Sequence, residues 1–83
     1  MASVSVDEIV KRLKTIVGVH RVDAEGDGYH YQLIVVAEQF EGLSRLKREQ
    51  WVYAQLMDFI TTGQLHALTM KTWTISEWEK NHG

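Results

Sequence analysis

The sequence predicts an α+β fold, a three-stranded mixed sheet with long helices packed on it, in the order α-β-β-α-β-α. Three observations lead there. Two capping boxes, Ser5-Val6-Asp7-Glu8 and Thr74-Ile75-Ser76-Glu77, mark helix starts near the two ends of the chain. An Asp27-Gly28 dipeptide separates two strand-like runs, as in a hairpin. A further alternating run, Gln64 to Trp73, follows a long helical stretch, so it can pair parallel with the hairpin's second strand across a helical crossover.

Taken in order, Val6, Ile9, Val10, Leu13, Ile16 and Val17 recur at helical spacing after the first capping box. Lys11, Arg12 and Lys14 fall on the opposite face, and Gly18 is placed to end this helix. Val19 to Ala24 reads as a weaker, edge-like strand, with Glu25-Gly26-Asp27-Gly28 as the turn after it. Tyr29 to Ala37 becomes apolar on both faces toward its end, as expected of a covered middle strand. Glu38 to Ser44 is a connecting loop that buries Phe40 and turns at Gly42.

One helix is expected from Arg45 to Thr61, with Leu46, Val52, Tyr53, Leu56, Met57 and Ile60 on its buried stripe and Gly63 closing it. Trp51 falls on roughly the opposite side, where it is either an interface anchor or an accident of the helical wheel. In the last strand His66, Leu68 and Met70 share one face and Leu65, Ala67, Thr69 and Lys71 the other. His66 therefore stands at a rim, where a buried strand emerges from a turn. Trp73 and Trp78 are expected to pack the short final helix onto the sheet.

Residues 1–83 read as one domain. Without cysteine the chain carries no disulfide, thiolate zinc site, thiol nucleophile or self-sufficient iron–sulfur site, so a soft metal here must bring thiolates from elsewhere. The formal charge of −2 gives no overall basic footprint, which argues against tight non-specific nucleic-acid binding. No stretch approaches the ~18 apolar residues of a spanning helix, and the first residues lack the apolar core of a secretory signal. A cytoplasmic or organelle-matrix protein is expected. An enzyme is not: G-x-S-x-G, G-x-x-x-x-G-K and H-E-x-x-H are all missing, and no paired carboxylates mark a cleft.

The candidates for chemistry are few. Imidazole is the one good borderline metal ligand the chain offers, and His66 could serve as a ligand or a proton carrier, although a lone histidine at a strand start is more often structural. Asp27 and His30 could approach it if the hairpin lies near the start of the last strand; the plainer reading is a turn former and a half-exposed strand residue. His20 and His82 read as solvated. Arg45, Lys47 and Arg48 crowd a helix N-terminus, where cations oppose the macrodipole. With Lys71 they could meet an acidic ligand, a phosphate backbone or an acidic partner surface.

Phe40-Glu41-Gly42-Leu43-Ser44, the run R-L-K-R-E-Q-W-V-Y from Arg45 to Tyr53, and His66-Ala67-Leu68 with Lys71-Thr72-Trp73-Thr74 and Glu77-Trp78 closely resemble the BolA-like family. The turn G-D-G-Y-H-Y and the R-x-K-R helix start look most like its IbaG subgroup. The resemblance spans nearly the whole chain. It implies a fold similar to a type II KH domain and a partnership with monothiol glutaredoxins. In such complexes a 2Fe–2S cluster is shared, with sulfur ligands from the glutaredoxin cysteine and glutathione and a histidine from the BolA-like protein. His66 is the matching position. The family's second ligand, a loop cysteine or histidine, has no clear counterpart: Asp27 stands near the cysteine position, and His30 lies just beyond. The family is also linked to DNA binding and stress-related control of cell morphology, the alternative reading, although the G-x-x-G loop of nucleic-acid-binding KH domains is missing. A homodimer of the chain is a further assembly left open.

Overall fold

In the computed structural model, which describes residues 3–82, α1 (Val6–Lys14) is followed by β1 (Val19–Gly26), β2 (His30–Ala37) and a single 3-10 turn (Glu38–Phe40). Helices α2 (Arg45–Gln55) and α3 (Met57–Thr61) then lead to β3 (Ala67–Trp73) and α4 (Ile75–His82). The sheet has the order β1-β2-β3, antiparallel between the first pair and parallel between the second. The expected mixed sheet with a central second strand is what forms.

Alternation along the strands decides which face is covered. Tyr31, Leu33, Val35 and Ala37 of β2 are buried in one core with Ile9 and Leu13 of α1 and with Val52, Leu56 and Phe59. Burying side chains of this size contributes about 1.5–3 kcal/mol each. The pairing register puts Arg21, Asp23 and Glu25 of β1, Gln32, Ile34 and Val36 of β2, and Thr69, Lys71 and Trp73 of β3 on the other face. There α4 covers only one end, with Trp78 edge-on to Trp73 at 6.1 Å and the Arg21 guanidinium 5.1 Å over its ring. His82, although exposed, stacks on Trp78 at 3.6 Å rather than standing free in solvent.

Ser5 Oγ accepts from the Glu8 N–H, which is one half of the first capping box; among the described residues the return bond from the Ser5 N–H to the Glu8 carboxylate is not made. The helix then ends at Lys14 with Thr15 as its cap, a turn earlier than Gly18. The expected single helix from Arg45 to Thr61 is interrupted at Leu56, whose φ of −112° and ψ of 10° separate α2 from α3. The cause is a residue from outside it. Arg12 of α1 donates to the Gln55 carbonyl at 3.2 Å, and the Phe59 N–H, the regular partner of that carbonyl, bonds Leu56 instead. The same guanidinium clasps Asp58 through two bonds of 2.6 and 3.1 Å and lies 4.2 Å over the Phe59 ring.

The buried stripe of α2 also differs from expectation. Leu46 and Met57 are 63 % and 47 % exposed, whereas Trp51 packs against the core. Phe40, fully buried in the loop before α2, takes the Trp51 ring as its edge-to-face partner at 5.7 Å. Such a pair contributes about 0.5–1.5 kcal/mol beyond area burial, and it draws the apolar sector of α2 toward Trp51 and away from Leu46. Trp51 is therefore not an exposed interface anchor.

Arg48 joins α2 to α4. Its guanidinium donates to both oxygens of Glu77 at 2.7 and 3.2 Å, to the Leu43 carbonyl at 3.0 Å and to the Thr72 carbonyl at 3.4 Å. Glu77 in turn completes the second capping box, accepting from the Thr74 N–H while its own N–H bonds Thr74 Oγ1. Along the outer side of β3, Tyr53 Oη reaches the Leu68 carbonyl at 3.4 Å.

Arg48, and after it the Thr74 N–H, lower the Glu77 carboxyl from its ordinary 4.5 to about 2. A depressed folded-state value stabilises the fold above the unfolded-state value, and that stabilisation is lost as pH falls from about 4.5 toward 2. Because water reaches Glu77, whose side chain is 44 % exposed, the contribution is on the order of 1 kcal/mol. Urea unfolding at pH 7 and pH 3 should therefore show a smaller acid-induced loss of stability in Glu77→Gln than in the parent chain. An equal loss in both would remove this pair from the acid response.

Candidate functional site

The approach to His66 is built by a helix ending. Gly63, at φ 78°, follows the last turn of α3; its N–H bonds the Ile60 carbonyl and the Gln64 N–H bonds the Phe59 carbonyl. That pair of bonds is the Schellman closure, which needs a residue tolerant of positive φ at this point. The chain reverses into Leu65, which is buried, then His66, which is exposed, and then the first residue of β3. His66 thus sits at the rim, as its place after a turn predicts, although Leu65, expected on the face of Thr69 and Lys71, is the buried one of the two. Among the described residues, no group hydrogen-bonds its ring.

The parallel pairing of β2 and β3 starts at His30 and Ala67, and just before it the Ala67 N–H donates to the Tyr29 carbonyl at 3.3 Å. This brings the hairpin beside the start of β3. The turn itself lies two residues later than Glu25-Gly26-Asp27-Gly28: β1 continues through Gly26, and Gly28 and Tyr29 form the loop between Asp27 and His30. Within this loop Gly28 alone has positive φ, 95°, a conformation that favours glycine. Asp27 Oδ1 accepts from the N–H groups of His30 and Tyr29 at 2.8 and 2.9 Å. Those two bonds hold the Asp27 carboxyl below its ordinary value.

Asp27 is therefore occupied in fixing the turn. His30 Nδ1 is 3.8 Å from Asp27 Oδ2, an ion-pair distance rather than a hydrogen bond. By register His30 shares the face of Gln32 and Ile34, one residue out of phase with Tyr29, whose ring stacks on His66 with centroids 5.4 Å apart. The three candidates occupy one end of the sheet without converging. Among the described residues no three His, Cys, Asp or Glu side chains come together as a metal site. The donor set suits a group that takes one nitrogen ligand from this chain and the rest from other molecules.

The cations divide. Arg48 leaves the contact set proposed from sequence: its side chain is 13 % exposed, and Glu77 and two carbonyls occupy its donors. Arg45 is exposed and pairs with Glu49 one turn on at 3.0 Å, and Lys47 is exposed at the same helix start. Arg45 and Lys71 line a groove on the uncovered sheet face with Gln32, Ile34 and Thr69, and Asp23 and Glu25 stand at its far side. Sequence reasoning missed Tyr29 as a neighbour of His66; its place just before His30 in an alternating strand was the signal. His20, read as solvated, is exposed with Nε2 2.8 Å from Glu38.

The family model described as BolA-like protein matches residues 13–77. The chain belongs to the BolA-like family. This BolA-like protein is 39% identical over 75 residues to the acid stress protein IbaG of Escherichia coli strain K12, covering 90% of this chain and 89% of that protein. Its fold is similar to a solved bolA protein homologue from Coxiella burnetii, with a TM-score of 0.80, 34% identity, and 92% and 97% of the two chains covered. It is similar also to the BolA domain of SufE1 from Arabidopsis thaliana, with a TM-score of 0.79, 26% identity, and 87% and 93% covered. Among the described residues no helix is long and apolar enough to cross a membrane.

His66→Ala should cost no more than about 1 kcal/mol of unfolding free energy, because it removes an exposed ring that stacks on Tyr29 and, among the described residues, makes no hydrogen bond. Asp27→Ala should lower the unfolding midpoint, since two turn N–H groups lose their acceptor, and Asp27→Asn should restore most of the loss. A large destabilisation by His66→Ala would show instead that this ring is part of the fold.

Proposed function

We propose that this protein is a non-enzymatic, cytoplasmic partner of a monothiol glutaredoxin, and that His66 gives one nitrogen ligand to a 2Fe–2S cluster shared between the two. Iron–sulfur cluster assembly, trafficking or iron and redox sensing is the process served. The observation that carries this reading is an exposed imidazole at a sheet rim that no group among the described residues hydrogen-bonds, in a chain without cysteine. The glutaredoxin cysteine and glutathione supply the sulfur ligands in this reading. When bound, such a cluster carries one-electron chemistry, and nitrogen in place of a thiolate raises its potential.

The remaining roles follow from the placement of this chain's residues. Asp27 holds the turn that sets Tyr29 beside His66 and directs His30 to the neighbouring face, so His30 is the weaker ligand candidate and Asp27 the weakest. Arg45, Lys47 and Lys71 offer charge-assisted donors to the carboxylates of glutathione or of an acidic partner surface.

Anaerobic mixing with a monothiol glutaredoxin, iron, sulfide and glutathione is expected to give a visible circular-dichroism spectrum distinct from that of the glutaredoxin homodimer. His66→Ala should abolish the difference. A spectrum that stays the same with and without His66 rejects the ligand assignment.

Exposed cations at Arg45, Lys47 and Lys71 favour a second reading, a nucleic-acid-binding regulator of stress response and cell morphology. Against it stand the net charge of −2 and the carboxylates Asp23 and Glu25 beside the same groove. It predicts DNA affinity that falls with salt at a log–log slope of about −0.9 per phosphate contact, flattening as the three cations are neutralised. Absence of DNA binding at low salt would dispose of it.

A further inference from the structure

We infer that Tyr29 is a positioning residue for His66, an inference that rests on the ligand role proposed for that histidine. The two rings stack with centroids 5.4 Å apart and planes at 28°. The Tyr29 ring meets His30 as well, edge-on at 4.8 Å and 82°. One aromatic ring therefore lies against both imidazoles at this end of the sheet.

The main chain of Tyr29 is held on both sides. Its N–H donates to Asp27 Oδ1 at 2.9 Å, which ties it to the turn. Its carbonyl accepts from the Ala67 N–H at 3.3 Å, which ties it to the residue directly after His66. The ring is thus registered to the strand that carries the imidazole it contacts, and it has only two side-chain torsions left to fix.

Tyr29 is 58 % exposed, so core packing does not account for a large aromatic ring there. Nor does the turn, whose requirement for positive φ falls on Gly28. What the ring does is cover one face of the His66 imidazole. Both nitrogens lie in the imidazole plane, so stacking leaves a lone pair open to an incoming metal while it restricts rotation of the ring. Imidazole torsion is broad when unrestrained, and a ring already held loses less freedom on coordination. Hydrogen-bonded groups that orient a ligating histidine from outside the coordination sphere contribute 10–100-fold in metal affinity, and a stack, which orients by contact alone, belongs at or below the lower end of that range.

The test uses Tyr29→Phe, Tyr29→Leu, Tyr29→Ala and His66→Ala in the full chain, with two readouts at fixed pH. The first is the proton NMR signal of the His66 ring in the chain alone. Stacking shifts it upfield; Tyr29→Phe should keep that shift, and Tyr29→Leu and Tyr29→Ala should lose it. The second is the lifetime of the mixed cluster with monothiol glutaredoxin against a competing chelator. Tyr29→Leu and Tyr29→Ala should shorten it about tenfold, the lower end for an orienting group, and Tyr29→Phe should not.

Unmoved His66 signals in Tyr29→Ala would overturn the stacking, and moved signals with an unchanged lifetime would overturn its role. In both cases His66→Ala would still shorten the lifetime, so the ligand reading would survive. A lifetime unaffected by His66→Ala would bring down the ligand reading and the Tyr29 inference together.

Discussion

The parallel pairing of β2 with β3 is the constraint on which the rest of the molecule depends. It joins two strands separated by the whole α2–α3 crossover, and a connection of that length carries a substantial closure cost. Several independent contacts hold the crossover in place. Phe40 and Trp51 seal its beginning, Arg12 clasps its middle, and the Schellman closure at Gly63 sets the angle at which it re-enters the sheet. The first rung of the pairing, from the Ala67 N–H to the Tyr29 carbonyl, is also what puts the hairpin turn beside His66. Topology and candidate site share the same few bonds.

At the rim, the division of labour between main chain and side chains is clear. Asp27 is exposed, yet its carboxylate is committed to two backbone N–H groups. Leu65 is buried and anchors the strand start, which allows its neighbour His66 to remain in solvent without loss of packing. The ligand role proposed for His66 requires this openness, since such a group cannot be among those that hold the fold together. The basic residues at the start of α2 show the same separation, since Arg48 turns inward to join two helices while Arg45 and Lys47 stay outside.

Much of this was legible in the sequence because it is local. Capping boxes need only neighbours in the chain, and both Ser5 and Thr74 cap as their spacing implies. A run apolar on both faces placed β2 at the centre, and a strand start just after a turn placed His66 at a rim. What escaped depended on contacts between distant segments. The break at Leu56 comes from a guanidinium on α1, and no glycine or proline announces it. Trp51 was misread because helical spacing cannot show that Phe40 waits beside it. Arg48 looked like one member of a basic run until Glu77 appeared opposite, and for the Tyr29–His66 stack the alternation hinted at Tyr29 but left open the strand register that brings the two rings together. The two-residue offset of the hairpin is smaller in kind: Asp-Gly marked the turn, but not which residue of it would be central.

The outward carbonyls of β3 have one further consequence. An outermost strand with unpaired main-chain groups is a template onto which another chain can add, and this is a common route to fibrils. Here the Leu68 carbonyl is met by Tyr53 and the Thr72 carbonyl by Arg48, the latter a cation at the margin itself. At the opposite margin, β1 carries an irregular register near Val19 and Arg21 and a charged pair at Arg21 and Asp23. A protein with both margins blunted in this way can leave an imidazole and its aromatic cover open to a partner without inviting its own copies to polymerise.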